Sequence, residues 1–159
     1  MHSIWFGSVA LLADQNGYEF DPVIDTNVCG VSPSMNWHGC RSRLRVSSST
    51  STTSARNLMF GVVLYAAAKA CGYLPNPFCC LEYAAYGVRI NAAAPGRIAT
   101  GMLAKASSSN PERFARLFIL MRRLGTLEEV AEAVLWLASL DAPFLTGQVL
   151  GVDGRYLAS

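Results

Sequence analysis

The sequence has few charges, few histidines and no regular cysteine pattern, and each of these shortages excludes a class of function. Only 15% of the 159 residues are charged, and the net charge is +2. A charge this small gives no electrostatic reason to expect nucleic acid or an anionic membrane as a partner. Because His2 and His38 are the only histidines, neither a metal centre nor a histidine-based catalytic triad is expected.

The cysteines form no disulfide framework. Five are present, at irregular spacing, and no C-x-x-C pair is matched by a second pair. This usage favours reduced thiols in a cytoplasmic protein over a disulfide scaffold or a zinc site. The apolar stretch at residues 4–13 has about half of the ~20 residues that a membrane-spanning helix needs, and no Lys or Arg precedes it as in a signal peptide. We therefore expect a soluble, cytoplasmic protein.

The second half of the chain carries consistent signals for strands and helices. Residues 87–94 are mostly apolar and end at Pro95-Gly96, which is typical of a buried strand in a parallel sheet. Residues 148–153 predict a second short strand. Between them, Asn110-Pro111 predicts one helix start, and a capping box at 126–129 predicts another. This order of elements indicates an α/β fold in a single domain.

Both predicted helices carry an apolar face. On the first, the face consists of Phe114, Leu117, Phe118 and Met121; on the second, it consists of Val130, Val134, Leu137 and Ala138, in a helix that reaches about Leu140. Apolar side chains at helical spacing are most often plain core.

Two windows, residues 40–60 and 70–80, fit an ordered fold less well. All but one of residues 46–54 are Ser or Thr, which is typical of a low-complexity linker. Residues 65–69 and 81–86 look helical, yet Pro75 and Pro77 lie between them. An interior proline costs a helix about 3 kcal/mol, so one continuous helix over 65–86 is not expected.

A tyrosine and a lysine, Tyr65 and Lys69, stand one helical turn apart and can share one helix face. A nearby ammonium stabilises a phenolate and lowers the phenol pKa from its usual value of about 10. A phenol tuned in this way can exchange a proton with a carbonyl oxygen or a hydroxyl. By itself Y-x-x-x-K is a weak motif, because it arises by chance on many helices.

The surroundings of this pair resemble the short-chain dehydrogenase/reductase family. Tyr65-Ala-Ala-Ala-Lys69 is followed, at the family's spacing, by a strand that resembles its G-I-R-V-N-x-x-x-P-G, here residues 87–96. The segments 123–125, 128–131 and 146–154 match, in order, its R-x-G, E-E-V-A and T-G-x-x-x-x-V-D-G elements. The resemblance implies a Rossmann-like, doubly wound parallel sheet. It also implies NAD(P)-dependent interconversion of a secondary alcohol and a carbonyl, with a small-molecule substrate.

The resemblance further implies catalytic roles. Tyr65 would be the acid/base, and Lys69 would lower its pKa and bind the nicotinamide ribose. Asn27 would hold a water in the proton relay, although it could instead be a turn or cap residue. Val46-Ser-Ser48 resembles the strand end that carries the family's catalytic serine, so Ser48 would orient the substrate oxygen. Thr52 and Ser51 are rivals, because the family's spacing places this hydroxyl near position 52.

The resemblance also implies which residues contact the nicotinamide of the cofactor. Pro95, Gly96, Ile98 and Thr100 would lie along the nicotinamide, with Thr100 as the polar contact to its carboxamide. Thr100 could alternatively cap the next helix. In this family the region after Thr100 largely determines the substrate; its Met102, Leu103, Phe114, Leu117 and Phe118 suggest an apolar pocket or lid as the alternative to plain core.

Several family elements are not found in the sequence. The Gly-rich turn T-G-x-x-x-G-x-G, which holds the pyrophosphate, is not found, nor is N-N-A-G. We therefore expect residues 1–159 to form a single incomplete domain, the C-terminal two-thirds of the family's fold, without the N-terminal βαβ half. The residue that selects between NAD and NADP belongs to that half. Compensating frameshifts would explain windows 40–60 and 70–80.

Other functions stay open from the sequence alone. The chain could be a catalytically inactive fragment or pseudoenzyme that acts at most as an association module. Family members commonly pair through the helices that bear Asn27 and Tyr65, so a homo-oligomer is a further expectation. A degraded gene product with no stable fold is the third alternative.

Overall fold

The computed structural model describes residues 17–29, 46–50, 63–70, 80–101, 103 and 110–156. Helix α1 (Gly17–Ile24) continues directly into a π-helical turn, Asp25–Cys29. The remaining elements are β1 (Val46–Thr50), α2 (Val63–Ala70), a 3-10 turn (Ala84–Tyr86), β2 (Arg89–Pro95), α3 (Pro111–Phe118), α4 (Leu127–Ala138) and β3 (Val149–Val152).

The three strands of the described residues form one parallel sheet in the order β1-β2-β3. Ser48 lies opposite Asn91, and Ala92 lies opposite Val149. Residues 90–94 of the central strand are all buried. The α/β prediction is therefore confirmed, and the central position of β2 explains why its sequence is a continuous apolar run rather than an alternating one.

The linker interpretation is wrong for Val46–Thr50, because these residues form β1 and pair with β2 along their whole length. Backbone hydrogen bonds to a buried central strand hold them in place, and threonine and serine side chains do not prevent an extended backbone. Most of the other residues of windows 40–60 and 70–80 lie outside the described residues. The two flanking helical predictions agree with the structure, since α2 contains residues 65–69 and residues 80–83 are helical.

Side-chain caps begin both helices of the second half, as predicted. The Asn110 Oδ1 accepts hydrogen bonds from the backbone N–H groups of Glu112 (3.0 Å) and Arg113 (3.2 Å) at the start of α3. At the start of α4, the Thr126 Oγ1 accepts from the Glu129 N–H (3.3 Å), and the Glu129 Oε2 accepts from the Thr126 N–H (2.8 Å). These contacts satisfy amide groups that have no partner inside the helix.

Three residues of the predicted apolar face of α3 are exposed rather than core. Leu117 and Phe118 are 66% and 48% exposed, and Met121, beyond the helix end, is also exposed. The buried residues are instead Ala115 and Ile119, which pack with Tyr156. The core interpretation is wrong for these three exposed side chains, because α3 ends at Phe118 and contacts the C-terminal segment through its small alanine.

Helix α4 follows its prediction more closely. Val130 and Leu137 are buried and Val134 is half-buried, but Ala138 is exposed and ends the helix before the predicted Leu140. No helix in the described part of the chain combines the length and the apolarity needed to cross a membrane.

Two polar side chains of β2 attach the segment between α4 and β3. The Arg89 guanidinium donates hydrogen bonds to three carbonyl oxygens at and beyond the end of α4, those of Leu137 (2.8 Å), Ser139 (2.8 Å) and Leu145 (3.1 Å). Asn91 is fully buried; its Nδ2 donates to the Leu145 oxygen (2.9 Å), and its Oδ1 accepts from the Gln148 N–H (3.1 Å). The hydrogen bonds of Arg89 and Asn91 position the end of α4 and the start of β3 against the central strand.

Candidate active site

Helix α2 places Tyr65 and Lys69 side by side. Tyr65 is buried, Lys69 is half-buried, and the Lys69 Nζ lies 5.7 Å from the centre of the Tyr65 ring. A cation at this distance is attracted to the face of an aromatic ring. Burial lowers the pKa of the Lys69 ammonium, since removal from water disfavours its charged form. The predicted shared face is therefore confirmed.

Helix α1 packs against α2 and brings Asn27 to the same part of the molecule. Val23 of α1 and Ala68 of α2 are buried against each other, with Ile24 and Val28 around them. A small residue such as Ala68 allows the two helices to approach closely. The π-helical turn that carries Asn27 continues directly from this contact, and it also contacts α2.

Asn27 has an unusual hydrogen-bonding state. Its side chain is 2% exposed, and its Nδ2 donates to the Val23 carbonyl oxygen at 2.9 Å. Its Oδ1, however, is buried and has no hydrogen-bond partner among the residues that the structure describes. A buried acceptor left unsatisfied costs about 1–3 kcal/mol, and π-helical turns within helices are frequent at functional sites. Asn27 lies inside the π-helical segment Asp25–Cys29, and its role in a proton relay stays a prediction.

Ser48 lies in the middle of β1, in register with Asn91 of β2. The carboxyl ends of parallel strands meet at one edge of the sheet, which is where ligands of open α/β sheets bind. Both β1 and the Pro95-Gly96 end of β2 therefore lead to that edge. The rival hydroxyls, those of Ser51 and Thr52, lie outside the described residues.

The segment 95–100, which we call the β2 loop, leaves the sheet in close contact with the C-terminal segment. The Gly96 N–H donates to the Val152 carbonyl oxygen at 3.0 Å. A Cβ built on Gly96 would lie 2.6 Å from the Asp153 Cα, so a larger residue has no room there. Further along, the Thr100 Oγ1 accepts from the Leu103 N–H at 3.3 Å. The capping contact that the alternative interpretation of Thr100 requires is thus present.

A second backbone segment pairs with the β2 loop. Ile98 and Gly125 form a parallel bridge, in which the Ala99 N–H donates to the Gly125 oxygen (2.9 Å) and the Gly125 N–H donates to the Arg97 oxygen (3.0 Å). The sequence contains Gly125 within its R-x-G element, but this contact joins residues far apart in the chain. No local pattern predicts it.

An ion pair holds this second segment to the start of α4. The Arg123 Nη1 and Nη2 donate to the Glu129 Oε2 (2.9 Å) and Oε1 (2.5 Å). The hydrogen bond from Arg123, together with that from the Thr126 N–H, lowers the pKa of Glu129 to about 2, and the same contact raises the pKa of Arg123. Two parallel N–H···O bonds of this kind fix the geometry as well as the charge.

Within the described residues, no group of His, Cys, Asp and Glu side chains is arranged to hold a metal ion. In the same part of the chain, Cys29 is exposed and Cys80 is buried. The candidate site that the sequence predicts thus comprises Tyr65 and Lys69 on α2 and the buried Asn27 on the adjoining π-helical turn.

Comparison with known proteins agrees with this architecture. The model of a family described as enoyl-(acyl carrier protein) reductase matches residues 2–156. An acetoacetyl-CoA reductase of Rhizobium meliloti is 36% identical over 149 residues, which cover 88% of this chain and 60% of that protein. A 3-oxoacyl-(acyl-carrier-protein) reductase of Buchnera aphidicola is 32% identical over 154 residues, which cover 91% of this chain and 60% of that protein. The chain belongs to the short-chain dehydrogenase/reductase family.

Solved structures of short-chain dehydrogenases/reductases share the fold. ElxO with NADP bound superposes with a TM-score of 0.85 at 28% identity, covering 98% of this chain and 64% of ElxO. Levodione reductase gives a TM-score of 0.84 at 28% identity, covering 97% of this chain and 64% of that protein. The parallel sheet of this chain is thus of the Rossmann type. The chain spans about 60% of the length of the two reductases named above.

Proposed function

We propose that this chain carries the acid/base centre of an NAD(P)-dependent oxidoreductase that interconverts a secondary alcohol and a carbonyl compound. The observation that carries the proposal is the Tyr65–Lys69 pair on α2, with the Lys69 Nζ 5.7 Å from the Tyr65 ring. Membership of the short-chain dehydrogenase/reductase family supports it. So do the relatives that reduce 3-oxoacyl and acetoacetyl thioesters, and the NADP bound to ElxO.

Tyr65 supplies the proton chemistry. In the reducing direction its hydroxyl protonates the carbonyl oxygen of the substrate, and in the oxidising direction its phenolate takes the proton of the alcohol. The Lys69 ammonium stabilises the phenolate through its charge, and partial burial strengthens this effect because water screens the two groups less. A bound nicotinamide would supply or accept the hydride.

The residues present fit a nicotinamide nucleotide. The half-buried Lys69 ammonium has donors for the hydroxyls of the nicotinamide ribose, and Pro95, Gly96 and Ile98 provide a rigid backbone border at the carboxyl end of β2. The Thr100 Oγ1 accepts the Leu103 N–H, and its hydroxyl proton would be donated to the carboxamide oxygen. The proposal covers both NAD and NADP as cofactors.

Asn27 and Ser48 complete the proposed centre. The unpartnered Asn27 Oδ1 is a buried acceptor that suits an ordered water, and such a water would return protons from solvent toward Lys69 and Tyr65. Ser48, on the neighbouring strand β1, would orient the substrate oxygen.

We further propose that the three described strands belong to an incomplete Rossmann-type sheet. The support is the sequence itself, which contains no T-G-x-x-x-G-x-G turn to hold a pyrophosphate. Sequencing of the coding DNA tests the idea. An in-frame motif of this kind upstream of Met1 would show that the incomplete sheet is part of a longer enzyme.

The deciding experiment on the activity is a fluorescence titration of NADH and NADPH against the purified chain, followed by turnover assays. Saturable binding is expected, and Tyr65→Phe should abolish turnover while leaving the cofactor dissociation constant nearly unchanged. Loss of both binding and turnover in Tyr65→Phe would contradict the acid/base role. No saturable binding at millimolar cofactor would contradict the proposal for this chain alone, and the association-module alternative would then be preferred.

A further inference from the structure

The β2 loop is held by a segment that lies more than twenty positions later in the chain. Ala99 donates to the Gly125 oxygen at 2.9 Å, and Gly125 donates to the Arg97 oxygen at 3.0 Å. Both hydrogen bonds flank Ile98, the loop residue proposed to border the nicotinamide. The backbone position of Ile98 therefore depends on the position of Gly125.

Side-chain contact reinforces this pairing. A Cβ built on Gly125 would lie 2.7 Å from the Ile98 Cδ1, so the Ile98 side chain rests directly against the glycine. A displacement of Gly125 would therefore move both the backbone and the side chain of Ile98. The first residues of the loop are held separately, by the Gly96 hydrogen bond to Val152.

Gly125 is in turn fixed to helix α4 by residues on either side of it. Arg123 donates two hydrogen bonds to the Glu129 carboxylate, and its Nη1 also donates to the Leu124 oxygen at 3.1 Å. Thr126 closes the capping box with the same Glu129. One carboxylate thus binds the residue two positions before Gly125 and the residue directly after it.

The ion pair is partly exposed, with 48% of the Arg123 side chain and 40% of the Glu129 side chain accessible. An exposed pair adds little to global stability. The position of the ion pair matters more than its strength. The pair links α4 to the segment that contains Gly125, and Gly125 contacts Ile98. The pair is therefore suited to positioning the β2 loop.

We propose that Arg123 and Glu129 are positioning residues, whose ion pair holds Gly125 against the β2 loop and thereby sets the affinity for the nicotinamide end of the cofactor. The part that concerns the cofactor rests on the proposed function. Neither residue is among those proposed above for the acid/base centre. Their action passes through the backbone of Gly125 to Ile98.

The test compares Arg123→Met with Arg116→Met. The first removes the ion pair but leaves both hydrogen bonds of the capping box in place. The second removes an exposed ion pair on α3, in which Arg116 lies 3.8 Å from Glu112. Amide hydrogen exchange at Ala99 and Gly125 is the first readout, and the dissociation constants for NADH and NADPH are the second.

In Arg123→Met, we expect exchange at Ala99 and Gly125 to accelerate by about two- to fivefold, the range that loss of a partly exposed ion pair supports. The cofactor dissociation constant should rise by a similar factor, whereas kcat at saturating cofactor should change less. Arg123→Lys should restore part of both effects, because an ammonium keeps the charge but not both hydrogen bonds. Arg116→Met should leave all of these quantities at their wild-type values.

Other outcomes would overturn the proposal. Unchanged exchange at Ala99 and Gly125 in Arg123→Met would show that the ion pair does not hold the loop, and equal acceleration along β2 would show a general loss of stability. Local acceleration with unchanged cofactor affinity would refute the link to the cofactor. If the wild-type chain binds no cofactor, the proposed function fails and with it that link, while exchange at Ala99 and Gly125 still decides whether the ion pair positions the loop.

Discussion

The Lys69 ammonium lies 5.7 Å from the centre of the Tyr65 ring, one helical turn further along α2. The contact combines a charge, an aromatic face and partial burial. Burial lowers the pKa of Lys69, because the ammonium next to Tyr65 loses part of its hydration in the folded protein. This loss of hydration leads to a prediction about stability at alkaline pH.

Lys69→Met should remove a pH dependence of the free energy of unfolding. In the wild type, the pKa of Lys69 is below its ordinary value of 10.5 in the folded state, so the unfolded chain binds the proton more tightly. Stability therefore rises with pH through the window that ends near 10.5. Urea unfolding at pH 8 and pH 10, compared between the two proteins, measures this rise. The same rise in Lys69→Met would contradict the assignment.

Glu129→Gln should remove a pH dependence in the acid range. The pKa of Glu129 falls from 4.5 to about 2 in the folded protein, chiefly through the hydrogen bond from Arg123. Its contribution to stability is fully present above about pH 4.5 and is lost as the pH falls through about 2. The difference in unfolding free energy between wild type and variant should therefore shrink over this window. A difference that stays constant between pH 5 and pH 2 would argue against the ion pair.

Gly96→Ala should destabilise the protein far more than Gly101→Ala. A Cβ at Gly96 would lie 2.6 Å from the Asp153 Cα, a backbone atom that cannot rotate away. At Gly101, by contrast, no atom of the described residues lies within 4 Å of a Cβ. Overpacking of this kind costs about 1–3 kcal/mol. Thermal or urea unfolding of the two variants measures the difference. Equal stabilities would mean that the contact between the β2 loop and Asp153 is not tight in solution.

Arg89→Met should lower the unfolding free energy by about 2–4 kcal/mol, because three carbonyl oxygens at and beyond the end of α4 lose a charged donor. Arg113→Met is the matched control, since Arg113 is exposed on α3. Urea unfolding of both variants checks the prediction. A loss below about 0.5 kcal/mol for Arg89→Met, the range of ordinary surface substitutions, would contradict the anchoring role.

The site was only partly predictable, and the residues themselves show why. The sequence predicts that Tyr65 and Lys69 share a helix face, because one helical turn is a local property of the chain. The sequence also predicts the caps at Asn110 and Thr126, because a cap involves only neighbouring residues. The contact of Gly125 with Ile98 was not, because it joins two segments that only the folded backbone brings together. The hydroxyl that serves the substrate stays a prediction, at Ser48 with Ser51 and Thr52 as rivals.

By itself, the sequence determined the α/β class, the strand around Asn91, the helix starts and the shared face of Tyr65 and Lys69. All of these depend on periodicity, on capping chemistry or on motifs within short stretches of chain. Only the tertiary structure decided that Asn27 is buried with no partner for its Oδ1 among the described residues, and that Leu117 and Phe118 are exposed. The same holds for the ion pair between Arg123 and Glu129. The reason is physical: burial and long-range pairing depend on which elements pack together, and no local pattern records that choice.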